Sequence, residues 1–397
     1  MRAFLWVAFI LLVCIDYKKE STSANFWRIT QSKLLVGAEQ PEKYLDLLRN
    51  KHVALVVNHT ARVGEKHLVD FLKEQGINIS KIFVPEHGFR GTADAGEKVD
   101  SSVDSQTNIP LISLYGKEKK PSAHSLQNVD ILVFDIQDVG VRFYTYISTL
   151  HYVMEACAEH QKPLIVLDRP NPNGHYIDGP ILEKKFSSFV GIHPIPVVHG
   201  LTIGELALMI NGEKWLEGGR EVALRVVPVR HYTHLTPYSL PVKPSPNLVN
   251  DVAIALYPSL CFFEGTDISV GRGTPFPFQV VGAPEYRGIY TFAFVPQPSE
   301  GSKNPLHNGK ICYGIDLRNT SLPIYKLDLT ILIDFYQKAP HRENFFNSFF
   351  DKLAGTDKLR KQIQEGMTAE AIRQTWQQEL ILYKQMRKKY LLYQDFE

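Results

Sequence analysis

The pattern that most constrains this chain is a recurring unit. A short apolar run is followed at once by charged or imidazole side chains, and then by a stretch with helical spacing. His52-Val53-Ala54-Leu55-Val56-Val57-Asn58 leads into His59 and Thr60. Ile79 to Val84 leads into Pro85-Glu86-His87-Gly88-Phe89-Arg90-Gly91. Asp130-Ile131-Leu132-Val133-Phe134 ends at Asp135 and Asp138, and Pro163-Leu164-Ile165-Val166-Leu167 ends at Asp168. Pro196-Val197-Val198 is a shorter run ending at His199, and Val222 to Val229 is a late strand. Runs this short, apolar at successive positions and rich in β-branched residues, read as strands buried on both faces. The stretches between them carry helical periodicity. Leu68, Phe71 and Leu72 mark one helix, and Ile147, Leu150, Met154 and Cys157 another. Thr202 and Glu205 form a capping box ahead of Leu206, Met209 and Ile210. A helix with Pro41 in its first turn is expected between Lys33 and Asn50.

This alternation specifies an α/β fold, a Rossmann-like parallel sheet with helices on both faces. Right-handed crossovers bring all strand C-termini to one edge, where ligands of open α/β sheets bind. His59, Glu86, Asp135, Asp138, Asp168 and His199 are therefore expected along one edge. A length of 397 residues suits two domains. The sheet domain is placed at residues 25–235. A smaller α+β domain that completes the cleft is placed at 236–397, opening on a proline-rich strap that contains Pro237, Pro241, Pro244 and Pro246. Residues 1–24 read as an export signal. Arg2 precedes an apolar run from Ala3 to Ile15, too short for a comfortable membrane span. Leu11-Leu12-Val13-Cys14 loosely matches a lipobox, so a lipidated Cys14 is the one expected route to membrane attachment.

Several function classes fall away. A net charge of +2 leaves no bulk positive field for nucleic acid. The first strand is followed by Asn58-His59-Thr60-Ala61-Arg62-Val63-Gly64, which is neither a dinucleotide fingerprint nor a phosphate loop. Cys157, Cys261 and Cys312 lack metal-ligand spacing, and Cys157 and Cys261 read as buried thiols. No cofactor and no metal are expected.

Glu86 is the sharpest catalytic candidate, because it leaves a buried strand beside His87 and Arg90. Desolvation raises a glutamate toward neutral pH, where it can donate a proton. Asp138 and Glu264 are the candidate second carboxylates, since glycoside hydrolysis needs a pair flanking the bond. His59, Asp135, Asp168 and His199 are candidate cleft contacts. Arg90, Arg142 and Arg272 are candidate partners for a substrate carboxylate, and Tyr144 or Tyr146 could stack on a sugar.

The motifs Val84-Pro85-Glu86-His87-Gly88-Phe89-Arg90-Gly91, Phe134-Asp135-Ile136-Gln137-Asp138 through Arg142-Phe143-Tyr144-Thr145-Tyr146, Leu167-Asp168-Arg169-Pro170-Asn171-Pro172 and Phe263-Glu264-Gly265-Thr266 resemble the NamZ-type exo-β-N-acetylmuramidases. The resemblance runs from about Leu34 to Tyr390-Leu391-Leu392-Tyr393. It implies release of N-acetylmuramic acid from the non-reducing ends of peptidoglycan fragments, with Glu86 as the catalytic acid. It implies a muropeptide or disaccharide substrate and an exported protein, periplasmic or outer-membrane-associated. Two other classes fit the residues less specifically: a metal-dependent cell-wall amidase or esterase, and a non-catalytic muropeptide-binding lipoprotein.

Overall fold

In the computed structural model, the described residues are 33–86, 88, 89, 102–116 and 118–397. Seven strands build the central sheet: β1 (Val53–Val57), β2 (Ile79–Val84), β3 (Ser102–Val103), β4 (Pro110–Ser113), β5 (Ile131–Asp135), β6 (Leu164–Leu167) and β7 (Leu224–Val227). Their order is β3-β4-β2-β1-β5-β6-β7, parallel throughout except where β3 pairs with β4. The pattern holds because β1 and β5 are buried along their whole length. Val56 sits in register with Phe83 on one side and Phe134 on the other, and Phe134 with Val166. Those four side chains point to one face, and Leu55, Ile82, Val133 and Ile165 point to the other. Each face has its own apolar core, and neither could be solvated.

Helix α1 (Leu68–Glu74) connects β1 to β2, α2 (Tyr146–Glu159) connects β5 to β6, and α3 (Ile203–Gly212) lies between β6 and β7. The capping box forms as expected: Thr202 accepts from the Glu205 amide, and Glu205 accepts from the Thr202 amide. The strand order reverses between β1 and β5, the kind of position where open α/β sheets bind ligands. Two expectations need correction. The stretch between Lys33 and Asn50 forms two 3-10 turns and one short helical turn, Leu45–Leu48. Pro196-Val197-Val198 is not a strand of the sheet, and Val198 makes only single bridges to Val141 and Asp178. Pro194 and Pro196 lack the amide protons that a ladder requires.

The later chain forms a smaller layer. It holds α4 (Asp251–Leu260) and an antiparallel sheet of β8 (Val280–Ala283), β10 (Cys312–Asp316) and β9 (Phe292–Phe294), followed by short helices to Arg387. Its apolar side chains, among them Leu260, Phe262, Phe278 and Phe335, share one core with the Phe83 and Phe134 face of the large sheet. Leu34–Glu397 form one compact unit. Among the described residues no helix is long and apolar enough to cross a membrane.

A buried guanidinium ties the two layers together. Arg142 is fully buried; Nη1 donates to the carbonyls of Pro180 and Ile195, and Nη2 to those of Leu353 and Ala354. Burial pulls its pKa down to about 9. Arg142→Lys should lower stability by several kcal/mol, because one ammonium cannot serve four carbonyls and each abandoned group costs about 1–3 kcal/mol. A shift in the denaturation midpoint measures it.

Candidate active site

The chain leaving β5 turns at Gly140, whose φ is +77°, and a Cβ there would lie 2.2 Å from the Asn171 side chain. This tight turn aims residues 143–146 back across the sheet edge. Thr145 occupies the N-cap of α2 without capping it. Its hydroxyl donates instead to Glu86 Oε2, at 2.6 Å. Tyr115, just past β4, approaches from another side. Burial, and then the Glu86 carboxylate, push its hydroxyl pKa up. Tyr146 is fully enclosed, accepts from Asn58 Nδ2 and donates to the carbonyl of Pro244. Tyr144 donates to the same carbonyl, so the proline-rich strap is fastened over this corner by two phenols.

Glu86 opens into a cavity of about 490 Å³. Tyr144, Thr145, Tyr146, Phe189 and Tyr257 contribute to its wall, with Glu264 and Arg272 from the later part of the chain. Arg272 Nε and Nη2 both donate to Glu264 Oε1, at 2.9 and 2.6 Å. That pair and Phe349 also border a second cavity, of about 670 Å³, with Ser302, Lys303 and Asn304 on its wall. Of the residues singled out from sequence, Glu86, Tyr144, Tyr146, Glu264 and Arg272 meet in one cavity.

The others lie elsewhere. Asp135 is sealed in an ion pair with Arg169, at 2.5 and 2.9 Å. Asp168 is sealed as well, accepting from Thr202 Oγ1, the amides of Arg169 and Gly204, and Tyr393. Burial raises its pKa to about 6 against those bonds. Arg142 is closed off by its carbonyls, so it does not face a substrate carboxylate. His59 contacts the Lys243 carbonyl at 2.7 Å and borders a neighbouring cavity. His199 is buried, its Nδ1 accepts from the Leu201 amide, and burial pushes its pKa down to about 3. His87 and Arg90 lie outside the described residues.

Asp138 does not border the Glu86 cavity. Its Oδ2 accepts from the Gly140 amide at 2.7 Å and lies 3.8 Å from His199 Nε2, while Oδ1 has no hydrogen-bond partner within 3.5 Å among the described residues. Burial pushes its carboxyl up to about 7. Sequence reading missed Thr145 as a partner of Glu86, although it lies within a motif already quoted. It missed Tyr115 altogether, because β4 opens with a proline and has only Leu111 and Ile112 as an apolar signal.

Comparison with known proteins follows the same division of the chain. The model for the N-terminal part of exo-β-N-acetylmuramidase NamZ matches residues 53–252, and that for its C-terminal part matches residues 255–393. The chain belongs to the NamZ family. It is similar to the peptidoglycan β-N-acetylmuramidase NamZ of Bacillus subtilis (strain 168), with 40% identity over 377 residues, 88% of this chain and 89% of that protein. A crystal structure of a DUF1343 family protein from Bacteroides fragilis NCTC 9343 superposes with a TM-score of 0.85 at 48% identity, covering 92% of this chain and all of that one. A second protein of that description from the same strain gives a TM-score of 0.78 at 29% identity, covering 91% of this chain and 99% of its own. The NamZ models meet between residues 252 and 255, so the cavity draws Glu86 from one part and Glu264 from the other.

Asp138 gives a pH signature distinct from activity. Its folded carboxyl holds its proton to about pH 7, whereas the unfolded one ionises near 3.8. A raised carboxyl contributes stability below the unfolded value and loses it as pH climbs to the folded one. Asp138→Asn, which can still accept from Gly140, should therefore gain stability relative to the parent across that window, by roughly 1.4 kcal/mol per pH unit. Melting temperatures of the two proteins on either side of the window test this.

Proposed function

We propose that this chain is an exo-acting glycoside hydrolase that releases N-acetylmuramic acid from the non-reducing ends of peptidoglycan fragments. Membership of the NamZ family supports the reading, and so does the name of the B. subtilis relative. The observation that carries it is the meeting of two carboxylates, Glu86 and Glu264, in one aromatic-walled cavity. Aromatic faces suit the apolar faces of a pyranose ring, and paired carboxyls are what glycosidic cleavage demands. Glu86, aimed by Thr145, protonates the glycosidic oxygen as the bond to the anomeric carbon breaks. Glu264, fixed by Arg272, faces the positive charge that develops on the sugar, or takes the proton from the incoming water. Asp138 is the weaker choice for that second role, since the walls of the cavity exclude it.

A metal-dependent amidase gains less support from the geometry. Among the described residues, Glu155, Glu159 and Glu217 alone form a group with metal-ligand spacing. None of the three borders the Glu86 cavity, and Lys120 already pairs with two of them. Export remains part of the proposal, supported by the apolar run from Ala3 to Ile15. The periplasm or outer membrane is the expected site of action, with Cys14 as the residue for a lipid. Mass spectrometry of the mature chain would identify both cleavage and lipidation.

Glu86→Gln should reduce kcat on a chromogenic N-acetylmuramic acid glycoside by about 10²–10⁴-fold. Its melting temperature should barely move, because a glutamine oxygen still accepts from Thr145. A variant with near-parental turnover would remove Glu86 from the mechanism.

A further inference from the structure

We propose that Lys119 is the residue that reads the lactyl carboxylate, the group that distinguishes N-acetylmuramic acid from N-acetylglucosamine. The inference rests on the muramidase reading above and deepens it. Two basic side chains border the Glu86 cavity among the described residues, Lys119 and Arg272. Arg272 is committed, since two of its nitrogens are spent on one oxygen of Glu264. Arg142, close by in sequence, is committed to four backbone carbonyls. Lys119 has no carboxylate partner among the described residues. Its ammonium rests 4.5 Å from the centroid of the Phe189 ring. The contrast with its neighbour is direct. Lys120 turns to α2, where it is 2.8 Å from Glu159 and 3.6 Å from Glu155. Of two adjacent lysines, one is used by the fold and the other is left facing the site.

The placement suits a substituent on the reacting sugar. Glu86 influences Tyr115, the Tyr115 and Phe189 rings are 5.8 Å apart, and Phe189 carries Lys119. One aromatic wall thus joins the acid to the cation. With Glu86 at the anomeric oxygen, the C3 ether of the same ring stands off from the scissile bond, and Lys119 on that wall is the uncommitted cation bordering the same cavity among the described residues. Contact with the ring face holds the ammonium in place without neutralising it. A lysine also suits a rotatable lactyl group, because an ammonium is a point charge with no demand for planar bidentate geometry.

The test compares two chromogenic glycosides, N-acetylmuramic acid and its neutral lactyl carboxamide, with the full-length protein. The parent should prefer the acid by about 10–100-fold in kcat/KM, the value of a hydrogen bond to a charged group. The preference should lie mainly in KM. Lys119→Met should bring the ratio of acid to amide close to one, and Lys119→Arg should restore most of it. A Lys119→Met protein that keeps the parental ratio, whatever its absolute rate, overturns the assignment. A parent that cleaves neither glycoside overturns the muramidase reading itself, and this inference with it.

Discussion

The arrangement depends on a positive charge with no acidic partner among the described residues. Arg142 is buried where a guanidinium would ordinarily be costly, and four carbonyl dipoles from two layers of the molecule stabilise it. Two of those carbonyls belong to Leu353 and Ala354, more than two hundred residues further along the chain. Phe143 to Tyr146 follow immediately and form wall of the cavity. The bond that fastens the layers therefore also fixes the segment that holds Glu86 through Thr145. Core continuity adds to this. Phe83 and Phe134 of the large sheet share one apolar cluster with Phe262 and Phe278, so displacement of the smaller layer would expose both sides.

The acids at the sheet edge separate by how they are satisfied. Asp135 and Asp168 are wrapped in protein donors and serve as fasteners. Asp168 joins the start of α3 to Tyr393 near the end of the chain. Glu86 and Glu264 keep an open side toward the cavity. A carboxylate bonded at both oxygens by protein donors and buried away from any cavity is closed to a substrate, whatever its place on the edge.

Much of this was legible in the sequence. The two-sided strands follow from unbroken apolar runs, and the direction of crossover then groups their ends. The place of Glu86 at the end of a buried strand followed from that. Arg142, Asp135 and Asp168 were misjudged as cleft residues, because sequence shows which polar residues stand at an edge but not which of them find partners. The carbonyls that engage Arg142 come from distant segments without any motif. Glu264 was read as a candidate second carboxylate, but nothing in its neighbourhood says that Arg272 will hold it. Lys119 gave no local signal: two lysines in succession look like solvated surface, and only the fold tells them apart.

The division of the cavity between two parts of the chain has an evolutionary consequence. Glu86 belongs to the part that folds around the parallel sheet, and the Glu264–Arg272 wall belongs to the part that follows the start of α4. Side-chain changes in the second part would leave Glu86 and its Thr145 contact in place while altering one side of the cavity. Substitutions after residue 252 can therefore reshape one side of the cavity while Glu86 keeps its place at the end of β2.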